Sequence, residues 1–422
     1  MRRIWGVLPF LLPVWAQTAL APLQAHPLRL QAEASLQAAQ RNLEAQAPLW
    51  SLNLQGSYAR FGYECTPERL CDSLPETAQG LTVALVLTPF PFGDAEDGVR
   101  RARIALRRAE LAYRRTLTAL QAQAVAAYGR YQEARLAEAL AQKGLALAQK
   151  TLEAAKARQA SPREIREAEI ALQEAQNRLA EAQRGVALAR QAVEGLVDLE
   201  VPLPEIPLPQ GRTPLSLEEA RLGVEEAEVA YSAAQRNLLP TLQGSFSFYP
   251  NDHDTISLSL SSRTFQPTLA YTRQDPARSA TPVPGGGSYR STDEAKLSLS
   301  LTLSPALLAA LDAAKAQVQA AQRALQAAEV QARVQEETLR NALRDAEAAL
   351  ALARLRQDAA RKTLEEARAR LALGLESPLG VLQAELALLQ AELARLQAEN
   401  ALRNRTLELY QFYGEILPEV MP

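Results

Sequence analysis

Little in this chain is equipped for chemistry. Its 422 residues include two histidines, two cysteines and two methionines, and aromatics make up 5%. His26 and His253 lie far apart in sequence, so they offer neither an acid–base pair nor a metal cluster. No glycine-rich phosphate loop, nucleophile elbow or metal-ligand spacing occurs. The chain is therefore expected to be no enzyme, with no catalytic residue, cofactor or metal. Asp252, His253 and Asp254 could meet a cation, but they read better as an exposed loop tip. Lys and Arg total 46 against 48 Asp and Glu, a net charge of −2. So balanced a chain has no basic surface for a polyanion, and no nucleic-acid partner is expected. Beyond the N-terminus, no apolar run reaches the roughly 20 residues that a membrane-spanning helix requires.

What is present is Ala, Leu, Gln, Glu and Arg in long runs, the profile of long helices and coiled coils. The pattern also occurs twice. Leu54-Gln55-Gly56-Ser57-Tyr58 matches Leu242-Gln243-Gly244-Ser245-Phe246, an offset of 188 residues. Thr88-Pro89 matches Ser304-Pro305, and Ser161-Pro162 matches Ser377-Pro378, both at an offset of 216. The second copy thus carries 28 extra residues between its strands. A duplicated unit of this size is an architecture and not a catalytic motif.

Residues 28–197 form the expected first repeat: a helix, a β-hairpin over 51–88 and a long helical hairpin over 96–197. A Pro-rich linker, 198–214, follows. The second repeat spans 215–413, with a helix, a β region over 241–304 and a helical hairpin over 306–413. Residues 414–422 are a C-terminal tail. In the first hairpin, Leu81, Val83, Leu85 and Leu87 share one strand face. In the second, Leu297, Leu299, Leu301 and Leu303 alternate with Ser and Thr in the cleanest strand of the chain. Ile256–Ser261 and Thr268–Thr272 suggest an added hairpin, and 274–292 reads as a loop. Ser161 and Pro162 read as an N-cap and a first-turn proline. The helix after them carries Ile165, Ala168, Leu172, Ala175, Leu179, Ala182, Val186, Ala189 and Val193 at alternating spacings of three and four, a coiled-coil seam. A capping box at Ser216 and Glu219 is expected to open the helix of the second repeat.

Arg2 and Arg3 precede an apolar stretch, and Val14-Trp15-Ala16 fits a signal-peptidase site. A signal segment over 1–16 is expected, with a second candidate cut after residue 21. An exported chain makes a disulfide the expected state of Cys65 and Cys71, closing a polar loop. Free thiols and a metal site are the alternatives, although two cysteines without a nearby histidine make a poor zinc site.

The strands set the strongest physical demand. Each is about as long as a tilted strand needs to be to cross an outer membrane. A strand in lipid must be paired on both edges, because hydrocarbon cannot satisfy N–H and C=O groups. Four to six strands cannot close a useful barrel, so the chain is expected to assemble with itself. Three copies of four would give a twelve-stranded barrel, and their helical hairpins a matching tube.

These features resemble the TolC-like outer-membrane efflux protein family over about residues 28–415. The repeated strand–strand–helix–helix order carries the resemblance. So does the break Leu373-Gly374-Leu375-Glu376-Ser377-Pro378-Leu379-Gly380-Val381-Leu382-Gln383-Ala384, similar to the family's pattern at the periplasmic tip. The resemblance implies a mostly α chain with a membrane β portion. As a homotrimer it would build a twelve-stranded transmembrane β-barrel joined to a long periplasmic α-helical barrel. It implies a passive exit duct for efflux or type I secretion, set in outer-membrane lipid and docked to a periplasmic adaptor and an inner-membrane pump. Gly374, Glu376, Ser377, Gly380, Gln383, Ser161 and Pro162 become candidates for the tip or gate. The family's acidic tip positions are Gly380 and Gln383 here, and Glu376 lies one turn away. The rival reading is a periplasmic adaptor or a structural coiled coil. An adaptor would have one helical hairpin, whereas this chain has two.

Overall fold

The computed structural model describes residues 19–64, 66, 71, 74–88, 92–203, 205–211 and 213–417. The expected signal segment, Cys65 and the residues beyond 417 lie outside them. Among the described residues, six α-helices carry most of the length: α1 (Pro27–Gln46), α2 (Asp94–Ala157), α3 (Pro162–Val193), α4 (Leu215–Arg236), α5 (Pro305–Ala372) and α6 (Pro378–Tyr413). The strands are β1 (Trp50–Arg60), β2 (Thr77–Leu87), β3 (Thr241–Phe248), β4 (Asp254–Ser261), β5 (Thr268–Asp275), β6 (Thr281–Val283), β7 (Gly287–Tyr289) and β8 (Asp293–Ser300). At 1.5 Å per residue, the 64 residues of α2 extend about 96 Å. Two compact units are distinguished. One comprises Met1–Ala34, Glu110–Glu218 and Ala328–Pro422, and the other Ser35–Ala109 and Glu219–Ala327.

The second unit holds a six-stranded antiparallel sheet in the order β1-β2-β5-β4-β3-β8. The hairpin β4–β5 comes from the extra residues of the second repeat and lies between β2 and β3. Of the four to six strands expected per chain, six lie in this one sheet. The segment expected to be a loop, 274–292, contains the small hairpin β6–β7 instead. Gly285 and Gly286 turn it at φ of 113° and 99°, values that favour glycine. Helix ends in this unit carry opposite charges. Asp97, in the first turn of α2, pairs with Arg236 in the last turn of α4, so each charge meets a helix end of opposite polarity. The capping box falls two residues too late: α4 starts at Leu215, and the Pro214 carbonyl accepts from the Leu217 and Glu218 amides. Ser216 thus sits inside the first turn.

The first unit has a true core. Leu23, Ala124 and Val193 are fully buried, packed with Leu120, Tyr128, Leu196, Val197, Leu407 and Tyr410. This gathers a short 3₁₀ turn at Ala21–Ala25 with α2, the end of α3 and the end of α6. Arg114 of α2 donates to the Tyr413 and Gly414 carbonyls at 3.0 and 2.9 Å and pairs with Glu218 at 3.1 Å. It thereby satisfies carbonyls that the end of α6 leaves open. Along α3, every seam residue from Ile165 to Val193 is buried or half-buried, and nearly all residues between them are exposed. The small alanines of the seam let neighbouring helices come close.

Candidate functional site

The sheet has two chemically different faces, and its register can be followed across all six strands. Leu52 pairs with Leu85, Leu85 with Leu269, Leu269 with Leu258, Leu258 with Phe246 and Phe246 with Ala295. The next row on the same face runs Leu54, Val83, Tyr271, Ile256, Phe248 and Asp293. Many of these apolar side chains are open to their surroundings, among them Leu54 at 70% and Leu297 at 76% exposure. The opposite face runs Ser51, Val86, Thr268, Ser259, Ser245 and Lys296, then Asn53, Ala84, Ala270, Ser257, Ser247 and Glu294. On it, the hydroxyls of Thr82 and Thr272 meet at 3.1 Å. An apolar face that no core covers, backed by a hydroxyl-rich face, is what a wall between lipid and water requires.

Leu81, Val83, Leu85, Leu87, Leu297 and Leu299 all lie on the apolar side of β2 and β8. Leu301 and Leu303 do not belong to a strand. The ladder ends where Ser300 meets Thr241, the first residue of β3, so no partner remains for them. They are exposed in the connection to α5.

The two hairpin tips are built by one device. Helix α5 ends with Gly374 at φ 73°, where the Gly374 amide donates to the Leu371 carbonyl and the Leu375 amide to that of Arg370. This is a Schellman end. Ser377 then caps α6 by accepting from the Gly380 amide at 3.0 Å, with Pro378 in the first turn. At the first tip, Gln159 and Ala160 donate to the carbonyls of Lys156 and Ala155 in the same pattern. Ser161 caps α3 through the Glu164 amide at 3.3 Å, followed by Pro162. Here the left-handed position, φ 54°, is filled by Gln159 instead of glycine. Glu376 accepts from the Ser377 amide at 3.1 Å and folds over Gly380, where a Cβ would fall 2.3 Å from its Oε1. The missing Cβ of Gly380 is thus what leaves room for the Glu376 carboxylate. Gln383 is exposed.

Three interactions inside the first unit had no local sequence signal. Asn400, buried in α6, donates to the Gly129 carbonyl at 3.2 Å and to Glu133 at 2.8 Å. Glu385 of α6 joins Lys143 of α2 and Arg368 of α5, both at 2.9 Å. Those two cations, Lys143 first, hold its carboxyl below the usual carboxylate range. Arg114, described above, is the third. At the loop tip, His253 sits 2.9 Å from the Gln274 carbonyl, Asp252 pairs with Arg290, and Asp254 accepts from Asn251 and Tyr271. Cys71 is disulfide-bonded. Among the described residues, no cluster of three His, Cys, Asp or Glu could hold a metal, and no helix is long and apolar enough to cross a membrane.

This combination of a two-faced sheet and paired long helices defines the fold of outer-membrane channels. Residues 214–415 match the model of the outer membrane efflux protein family. The outer-membrane channel MtrE of Neisseria gonorrhoeae, crystallised in its open state, superposes with a TM-score of 0.59 at 20% identity, covering 93% of this chain and 87% of that one. VceC of Vibrio cholerae gives 0.60 at 19% identity, covering 93% of each. The CmeC channel of Campylobacter jejuni gives 0.59 at 14%, covering 94% of this chain and 84% of that one. Likeness at these identities shows a shared fold. The search of curated proteins gave no match.

Proposed function

We propose that this protein is a subunit of a passive outer-membrane exit duct. Three copies close their sheets into a barrel in the outer membrane and their helical hairpins into a tube in the periplasm. The duct serves efflux or type I secretion by docking, through a periplasmic adaptor, to an inner-membrane pump that supplies the energy. The observation that carries this reading is the six-stranded sheet with one uncovered apolar face and two open edges, β1 and β8. In water both features would be liabilities. In a bilayer, with a neighbouring copy on each edge, both become necessary.

The tips are the proposed gate, with the Glu376 carboxylate of each copy as the acidic group there. The chain is exported by the signal segment, and the cut falls after residue 16. Ala19 and Leu20 support that site, since both are buried in the core of the first unit and the Ala19 carbonyl accepts from Asp198 at 2.7 Å. Cleavage after residue 21 would remove them.

The test is purification in detergent, with mass measurement and conductance in planar bilayers. The expected result is a three-copy complex that forms ion-conducting pores, with Glu376→Gln lowering cation selectivity. A water-soluble monomer obtained without detergent would refute the channel. Unchanged selectivity would remove Glu376 from the gate.

A further inference from the structure

We propose that the membrane barrel contains eighteen strands, six from each of three copies, and that the inserted hairpin β4–β5 is part of its wall. The count of three copies rests on the channel reading above, whereas the count of six strands per copy rests on the sheet itself.

Three features of the sheet support this. The first is its connectivity. β5 pairs with β2 along eight residues, β4 with β5 along six and β4 with β3 along six. β2 and β3 have no ladder with each other. Lifting the hairpin out would strip one edge each from β2 and β3, and hydrocarbon offers no replacement partners for their backbone groups.

The second is that both chemical faces run through the hairpin without interruption. Leu258 and Leu269 sit between Leu85 and Phe246 in the central apolar row, and Ile256 and Tyr271 sit between Val83 and Phe248 in the next. On the other side, Ser257 and Ala270 join Ala84 to Ser247, and Thr272 faces Thr82. A hairpin projecting into water beyond the wall would have no reason to keep an apolar side in step with its neighbours.

The third is parity. All neighbouring pairs are antiparallel, so with six strands β1 and β8 run in opposite directions. A copy related by rotation about the barrel axis therefore presents its β1 antiparallel to β8 of its neighbour. The closing ladder keeps the alternation of the rest, and the partner for each open edge is a second copy of this chain.

The size follows from strand spacing. With strands about 4.8 Å apart and tilted by about 40°, twelve strands give a backbone radius of about 12 Å, and eighteen about 18 Å. The enclosed cross-section grows by a factor of about 2.3, as the square of strand number. The sheet of a single copy, closed on itself, would have a radius of only about 6 Å and no duct.

The experiment uses the full chain with Cys65 and Cys71 replaced by Ser. Ala84→Cys with Ala270→Cys reports the β2–β5 ladder, and Ser247→Cys with Ser257→Cys the β3–β4 ladder. Asn53→Cys with Ala84→Cys is the control on the β1–β2 pair. Each assembled complex is treated with a short bifunctional thiol reagent and mapped by peptide mass spectrometry, while its mass gives the copy number. Cross-links in both test pairs within a three-copy complex are expected. A three-copy complex that cross-links only in the control pair overturns the eighteen-strand wall and leaves the channel standing. A monomer overturns the channel reading as well. Electron microscopy of the unmodified protein is an independent measurement. It should show a backbone diameter near 36 Å, and a diameter near 24 Å would overturn the proposal, these being about twice the radii above.

Discussion

The apolar face makes a sharp prediction at Leu85. It lies in the central row of the sheet, between Leu52 on β1 and Leu269 on β5. Leu85→Lys would place an ammonium on the lipid side of the wall, two residues inside the end of β2, at a cost of up to about 2–4 kcal/mol per chain. Over three copies that sums to at most about 6–12 kcal/mol, or up to about 10⁴- to 10⁹-fold in the assembly equilibrium. Ala84→Lys is the matched control. It sits one residue away on the same strand, faces Asn53 and Ala270 on the polar side, and introduces the same lysine. Leu87→Lys tests depth, since Leu87 is the last residue of β2 and a cation near the interface costs only about 0–1 kcal/mol. The assay is the yield of heat-resistant oligomer in the outer-membrane fraction. It should fall in the order Ala84→Lys, Leu87→Lys, Leu85→Lys, with almost none for the last. Equal yields from Leu85→Lys and Ala84→Lys would refute the assignment of the two faces.

Gly129→Ala should destabilise the protein by about 1–3 kcal/mol even though alanine is the better helix former, because the new Cβ would fall 2.8 Å from Asn400 Cγ. A higher unfolding midpoint in detergent would contradict this, and Asn400→Ala should partly rescue the variant through coupling of about 0.5–3 kcal/mol. Gln159→Gly should stabilise by about 1 kcal/mol by relieving the left-handed backbone at the first tip, and Gly374→Ala should destabilise by a similar amount at the second. Unfolding midpoints that move the other way would show that the tips are held differently. The depressed carboxyl of Glu385 contributes stability that is present above its unfolded value, about 4.3, and is lost as pH falls through its lower folded value. Glu385→Gln should flatten the acid limb of a stability–pH curve, by no more than about 1 kcal/mol per ion pair given how exposed Lys143 and Arg368 are. An unchanged limb would mean that the pairs contribute nothing. N-terminal sequencing of the exported protein should begin at Gln17, and a start at Pro22 would count against the packing of Ala19 and Leu20.

The parts of this fold that the sequence makes legible are those governed by local periodicity. Alternation of two betrays a strand with two environments, and alternation of three and four betrays a seam, so β1, β2, β8 and the buried stripe of α3 are readable from residue spacing alone. Periodicity says nothing about who the neighbour is or how long it lasts. Leu301 and Leu303 continue the alternation of β8 faultlessly, yet the strand stops at Ser300 because β3 begins at Thr241 and offers no partner further on. Ser216 and Glu219 have the spacing of a capping box, but Pro214 already supplies the accepting carbonyl two residues earlier. A glycine in a helix is just as ambiguous. Gly129 makes room for Asn400, 271 positions away, while Gly144, just over four turns along the same helix, meets nothing within 4 Å. The same limit explains the hairpin. Ile256-Ser257-Leu258-Ser259-Leu260 is recognisable as a strand at once, but only the ladder reveals that it separates β2 from β3. Because a membrane wall fixes the chemistry of each face and leaves strand number free, a hairpin with the right alternation can enter it without changing any neighbour's pattern. Strand number is therefore the property of this sheet least visible in the sequence and most dependent on pairing.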